Sequence, residues 1–323
     1  MCGRLGWISL ASAGATLVVA TGASAAAPAC QGTEVLDSTS YRVSRCDAAG
    51  RLVKRMTVGY VSVPGATRGW IPLSTTTPTA DGGSKTTSFQ YADFATDRAA
   101  LVGWNGAEGA ALRASVMPAA PGTVLRAPDA VARAACSDSR YLLWPGRWSG
   151  SRYGYRTKNG TFPNGNTTRQ AITRAHHNWD NTDNTCGFAD ITPLYSDWLG
   201  TTSTGFHTTR DGVSVVDFGD MSNVGGSDSA NVAITSLWTN AANQYVETDQ
   251  RYNSAKSWST AGAAGAYDVE NIATHETGHS IGIQGDYTAA SHKELTMYAS
   301  ASPRETKKRT LGRGDVLALR AKY

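Results

Sequence analysis

Residues 268–287 read D-V-E-N-I-A-T-H-E-T-G-H-S-I-G-I-Q-G-D-Y, and within them His275, Glu276 and His279 form the pattern H-E-x-x-H. On an α-helix, side chains four apart share a face about 5–6 Å apart, so imidazoles at 275 and 279 can grip one metal ion. Glu276, beside the first histidine, then reaches a water on that metal and can accept its proton. Asp268 is placed to cap the helix, Val269, Ile272 and Ala273 give it an apolar stripe, and Gly282 marks a left-handed stop. A surface helix with two chance histidines is the plainer alternative. The cap, stripe and glycine stop around the motif favour the metal helix.

H-E-T-G-H-S-I-G at 275–282, with T-M-Y at 296–298 after a short loop, resembles the metzincin metalloproteases. More narrowly it is similar to the bacterial secreted matrixin-like and snapalysin-like enzymes. The resemblance spans the region from Cys136 onward and is strongest near the end of the chain. It implies a Zn²⁺ site, Glu276 as general base, and a methionine turn at Met297 flooring the metal. The implied fold is α+β: a twisted mixed sheet, an active-site helix and a C-terminal helix, preceded here by a small β-rich N-terminal region. It also implies an edge strand that pairs with extended substrate, for which N-V-A-I-T-S-L-W at 231–238 is the candidate.

The family pattern H-E-x-x-H-x-x-G-x-x-H/D puts its third ligand at position 285, which here is Gly285. Asp286 follows at once, then Tyr287, and snapalysin-like enzymes use an aspartate closely followed by a tyrosine. Asp286 is therefore the expected third ligand, through an oxygen at about 2.0–2.2 Å from zinc. His292 is the alternative, because imidazole is the commoner ligand, and Glu294 is a further one.

Around this core the chain of 323 residues leaves room for a leader and one or two domains. A hydrophobic share of 41% suffices for a packed core, and a net charge of +4 without Lys/Arg runs among aromatics gives no case for nucleic acid. Residues 1–25 read as a secretory signal: Arg4, an apolar centre, and Ala23-Ser24-Ala25 as cleavage site. No other stretch is apolar enough to span a membrane, so stable insertion after signal removal is not expected. Export leaves Cys30, Cys46, Cys136 and Cys186, for which Cys30–Cys46 and Cys136–Cys186 are the favoured pairs. The resemblance raises an alternative in which Cys46 caps the zinc, as a prodomain cysteine does in matrixins.

Residues 26–117 form the β-rich region, read as a propeptide or an accessory domain. It holds two strands joined by a turn at Asp47–Gly50, and further short apolar pieces at Ser88–Phe94 and Ala100–Trp104 alternate with Gly, Thr and Ser loops. Residues 118–135, rich in Ala and Pro, read as a linker in which Arg126 and Arg133 suit proteolytic maturation. The catalytic region is 136–323: a strand at Ser151–Lys158, a helix from Thr167 or Thr168 to Asn181, strands at Gly212–Phe218, Asn231–Trp238 and Gln244–Tyr252, and a last helix from Arg313. His176 and His177 read as solvated surface residues, and not as a metal pair, because adjacent helical positions diverge. Asp217, Asp220 and Asp228 are candidates for Ca²⁺, against a plain acidic turn.

The expectation is a secreted, monomeric zinc endopeptidase acting on proteins or peptides. The rivals are a catalytically inactive secreted binding protein that keeps the fold, for which Gly285 speaks, and a zinc hydrolase of small amides.

Overall fold

The computed structural model describes residues 32–36, 39–63, 66–93, 135–224 and 230–323. The expected leader, nearly all of the linker, Cys30 and Asp228 lie outside these residues. Five strands come first: β1 (Gly32–Val35), β2 (Ser40–Cys46), β3 (Leu52–Val63), β4 (Ala66–Pro78) and β5 (Ser84–Ala92). Each pairs antiparallel with the next. The turn from β2 to β3 lies where the sequence places it. Asp47 accepts from the N–H groups of Ala49 and Arg51, and Gly50 takes the positive φ of 76° that the turn needs.

The chain then becomes mixed, with β6 (Arg147–Trp148), β7 (Arg152–Lys158), α1 (Asn166–Asp180), β8 (Tyr195–Thr202) and β9 (Val215–Gly219). β10 (Asn231–Thr239) and β11 (Gln244–Asn253) form an antiparallel pair, and the short β12 (Trp258–Ser259) and β13 (Tyr267–Asp268) a separate two-stranded sheet. α2 (Val269–Ser280), β14 (Ser300–Ala301) and α3 (Arg313–Lys322) complete an α+β arrangement. Among the described residues the main sheet runs β1-β2-β3-β4-β5-β10-β11-β9-β7-β8, with β14 beside β5 and β6 beside β11.

This order corrects one expectation. β10 is not an edge strand, because β5 pairs with it along its length. An open edge presents a row of unpaired N–H and C=O groups, and the T-T-S-F-Q-Y run of β5, rich in β-branched and aromatic residues, suits that row. β10 is accordingly buried at every position.

α1 and α2 pack on one another. Ile172, Ala175 and Trp179 meet Ile272 and Ala273 in the apolar core, each such large side chain contributing about 1.5–3 kcal/mol. Trp179 Nε1 donates to the Thr274 carbonyl at 2.6 Å, and a Cβ at Gly278 would lie 2.8 Å from the Trp179 ring. The glycine inside the H-E-T-G-H motif thus permits close helix approach. His176 is a second correction. It is buried, stacked on Tyr155 at 3.8 Å and bonded to the Tyr153 hydroxyl, because the inward face of α1 is broad enough to take it. Burial lowers its pKa to about 3, so it is neutral. His177 is exposed as expected.

Cys136 and Cys186 are joined as a disulfide. Cys46 is disulfide-bonded too, which leaves no thiol there to cap a metal; its expected partner Cys30 lies outside the described residues.

Candidate metal centre

α2 begins where the sequence places it. The Asp268 carboxylate accepts from Asn271 N–H and also pairs with Arg309 at 2.6 Å. It ends with Gly282 at φ 87°, where a Cβ would collide with the Tyr245 hydroxyl. Between these stops, His275 and His279 point the same way, with Nε2 atoms 3.1 Å apart. Asp286 Oδ1 lies 3.3 Å from His279 Nε2 and 3.8 Å from His275 Nε2.

The turn that delivers Asp286 explains the glycine before it. Gly285 and Asp286 both take left-handed backbone, with φ of 47° and 57°. A Cβ on residue 285 would sit 2.3 Å from Met297 Cβ, so no side-chain ligand fits at that position. Asp286 N–H donates to the Met297 carbonyl at 2.8 Å, and Tyr287 bridges to Tyr298. Asp315 ties this turn down from α3, accepting from the N–H groups of Thr296, Met297 and Gly312. Met297 is fully buried, and its sulfur lies against Gly278 of α2. His292 is elsewhere: its Nδ1 bonds to Asp138 Oδ2 at 2.7 Å. Glu294 lies nearest Lys293 and Lys307.

The hydrogen bonds decide what the two rings offer. His275 Nδ1 lies 2.8 Å from the Thr296 carbonyl and His279 Nδ1 lies 3.0 Å from the Ile283 carbonyl. A carbonyl only accepts, so each Nδ1 carries its proton and, in the neutral ring, Nε2 presents a lone pair. Burial, followed by the Lys308 charge, pushes the His275 pKa well below its ordinary value. At His279 burial works in the same direction but is outweighed by the Asp286 carboxylate, so its pKa is raised. Two Nε2 lone pairs and a carboxylate oxygen aimed at one point repel, and either a cation between them or a proton on His279 Nε2 relieves that repulsion. Asp286 Oδ1 has no hydrogen-bond donor of its own, as a position reserved for a ligand atom would have. His275, His279 and Asp286 are the set whose ligand atoms gather within 4.8 Å among the described residues.

Glu276 is fully buried beside this group. Thr235 Oγ1 of β10 donates to its Oε2 at 2.5 Å, while Oε1 has no partner. Burial raises its pKa to about 7, partly offset by His279 and by the Thr235 hydrogen bond. Three further residues escape a reading of the sequence. Trp144 stacks on His279 at 5.2 Å. Lys308 lies buried with its ammonium on the Tyr298 and Ser300 carbonyls. Ser88 of β5 sets its hydroxyl 3.1 Å from His279 Nε2 and 2.7 Å from Asp286 Oδ2. Nothing in the composition around a lone serine 191 positions away signals that contact.

Of the three acidic residues considered for calcium, the two described ones are engaged with protein groups. Both carboxylate oxygens of Asp217 bind Arg251, Asp220 caps Ser222, and Asp228 is outside the described residues. No helix of the described residues is long and apolar enough to cross a membrane. No family model matches the chain, and no curated protein matches it.

Proposed function

We propose that the chain is a secreted zinc endopeptidase of the metzincin type, with His275, His279 and Asp286 as ligands and Glu276 as general base. The observation that carries this reading is the spacing of the three ligand atoms. Zinc bonds at about 2.0–2.2 Å in tetrahedral geometry put two ligand atoms about 3.3 Å apart. The separations here are 3.1, 3.3 and 3.8 Å. Two imidazoles and one carboxylate suit zinc, whereas calcium takes six to eight oxygens. Zinc, when bound, supplies Lewis acidity that polarises a peptide carbonyl and makes water acidic near neutral pH.

The protein's own groups then handle position and protons. The carbonyls of Thr296 and Ile283 hold the imidazoles in the tautomer that leaves Nε2 free to bind. Thr235 holds Glu276 Oε2, which leaves the unpartnered Oε1 to accept the proton of an attacking water. The protonated Glu276 carboxyl then returns that proton to the departing amine. The order of elements, with an active-site helix, a turn at Met297 and a last helix, supports the metzincin reading over a zinc hydrolase of small amides. The inactive-protein alternative drew on Gly285, and with Asp286 beside both imidazoles that residue no longer favours it.

The test is metal content and hydrolysis measured together, on the chain whole and cut between residues 94 and 134. One zinc per chain, lost on His279→Ala and kept on Glu276→Gln, is the expected result. Casein hydrolysis by the parent should fall about 10²–10⁴-fold in Glu276→Gln, the usual worth of a general base. A parent that binds no zinc, or a Glu276→Gln chain as active as the parent, overturns the assignment.

A further inference from the structure

One face of the main sheet carries positive charge with little to balance it. Residues directly opposite one another in antiparallel strands share a face. The register from β2 to β10 therefore sets Ser44, Arg55, Thr76, Thr86 and Leu237 in one row. One pleat along, Arg42 and Thr57 begin a row that ends at Ser88 and Thr235, beside the metal centre. A cavity of about 90 Å³ lies against this face, with room for about six water-sized groups. Arg42, Arg55, Thr76 and Thr86 give it a polar lining, and Leu237, Trp144 and Pro145 an apolar one. A second pocket, of about 380 Å³, shares both arginines and borders Glu34. Trp144 also stacks on His279, so the cavity adjoins the metal centre, whereas His275, Glu276, His279 and Asp286 do not line it.

The charges around this cavity do not cancel. Among the described residues Glu34 is the one carboxylate that lines either pocket, and Arg42 already holds it at 2.9 Å. Arg42 spends a second nitrogen on Gln284 Oε1 at 2.7 Å. Arg55 has no carboxylate within ion-pair distance among the described residues. Its Nε donates to the Ser44 hydroxyl at 3.3 Å, which leaves its terminal nitrogens for a ligand. Burial and then the charge of Arg42 lower the Arg55 pKa, as expected of two cations that face the same space. An anion between them removes that repulsion.

We infer that this cavity binds a small monocarboxylate, its oxygens held by Arg55, Arg42 and the Thr76 and Thr86 hydroxyls and its short hydrocarbon body laid on Leu237, Trp144 and Pro145. A guanidinium fork matches a planar carboxylate through two parallel hydrogen bonds. The apolar lining offers nothing to the remaining oxygens of a phosphate, and burying them unpaired is costly. The volume limits the ligand to about six non-hydrogen atoms, the size of butyrate. The site is separate from the metal centre and does not depend on the peptidase reading.

Isothermal titration of the full chain with butyrate tests this, on zinc-loaded and on chelator-treated protein, with butyramide and inorganic phosphate as comparisons. One butyrate per chain should bind in both forms, about tenfold or more tighter than butyramide or phosphate, the worth of a charge-assisted hydrogen bond. Arg55→Gln should weaken butyrate binding by a similar factor. Arg51→Gln, at an exposed arginine paired with Asp47, should leave it unchanged. Thr76→Leu fills the cavity while keeping both charges, and should abolish binding. Thermal midpoints show which variants are folded, and Arg55→Gln decides the matter if Thr76→Leu is not. Binding that vanishes with the metal puts the carboxylate on zinc, and binding that survives Arg55→Gln puts it elsewhere on the surface. Phosphate bound as tightly as butyrate removes any part for the apolar lining. Each of these results, or a chain that binds no butyrate, overturns the inference.

Discussion

Asp286 and Gly285 show how one position is decided by its neighbour. The Asp286 carboxylate reaches the two imidazoles from a left-handed backbone at 286, and the turn that provides it brings residue 285 against Met297. Gly285→Ala therefore meets two obstacles, a positive φ and a blocked Cβ. It should lower stability by about 1–3 kcal/mol, read from the urea midpoint, and should weaken zinc binding as Asp286 is displaced. The ligand choice is checked separately. Asp286→Ala should lose zinc, whereas His292→Ala should keep it, because His292 is turned to Asp138. Loss of metal in the second variant alone would reverse the assignment. The shared face of His275 and His279 was legible because its spacing is local to one helix. Ser88, Trp144 and Lys308 were not, because chain topology alone brings them to the site.

Among the elements, α2 and the turn after it are braced from the C-terminal helix. Asp315 at the start of α3 accepts three N–H groups, two of them from the Met297 turn. Asp315→Ala leaves those buried donors without acceptors. With each such loss worth about 1–3 kcal/mol, the expected destabilisation is on the order of 3 kcal/mol or more. The thermal midpoint should fall, and zinc affinity with it, since the turn carries the Thr296 carbonyl that orients His275. A variant as stable as the parent would show that the turn holds itself. α1, α2, β7, β10 and β11 were read from periodicity to within a few residues, β7 by its buried positions alternating with more open ones and α2 by its cap and glycine stop, whereas β4 and β8 were not read at all. Periodicity also missed pairing. The run at 231–238 reads the same whether its open side faces solvent or β5.

Over the whole molecule, buried carboxyls set how stability responds to pH. Burial raises Asp249 to about 8, and Asp180 and Glu276 to about 7. A carboxyl raised in the folded state keeps a proton that the unfolded chain has already released. Stability is therefore lost as pH rises toward the folded pKa. Between pH 6.5 and 8 the metal-free protein should lose on the order of 1 kcal/mol per pH unit through Asp249, as measured by urea unfolding. Below pH 6.5 the buried neutral His176, lowered to about 3, works in the opposite direction. Asp249→Asn should flatten the slope above 6.5, although it also costs stability by spoiling one of the two backbone N–H contacts from His207 and Val215. An unchanged slope would rule out Asp249 as its source.

The amino-acid sequence alone determined the helix that carries His275 and His279, its cap and its glycine stop, the turn at Asp47–Gly50 and about half of the strands. These follow from short-range patterns, in which side-chain spacing along one element already states its geometry. Only the tertiary structure decided that Asp286 meets the two imidazoles, that His176 is buried, and that β5 fills the open side of β10. Each of these depends on where segments far apart in the chain come to rest, and a strand edge accepts partners through backbone groups that every residue shares.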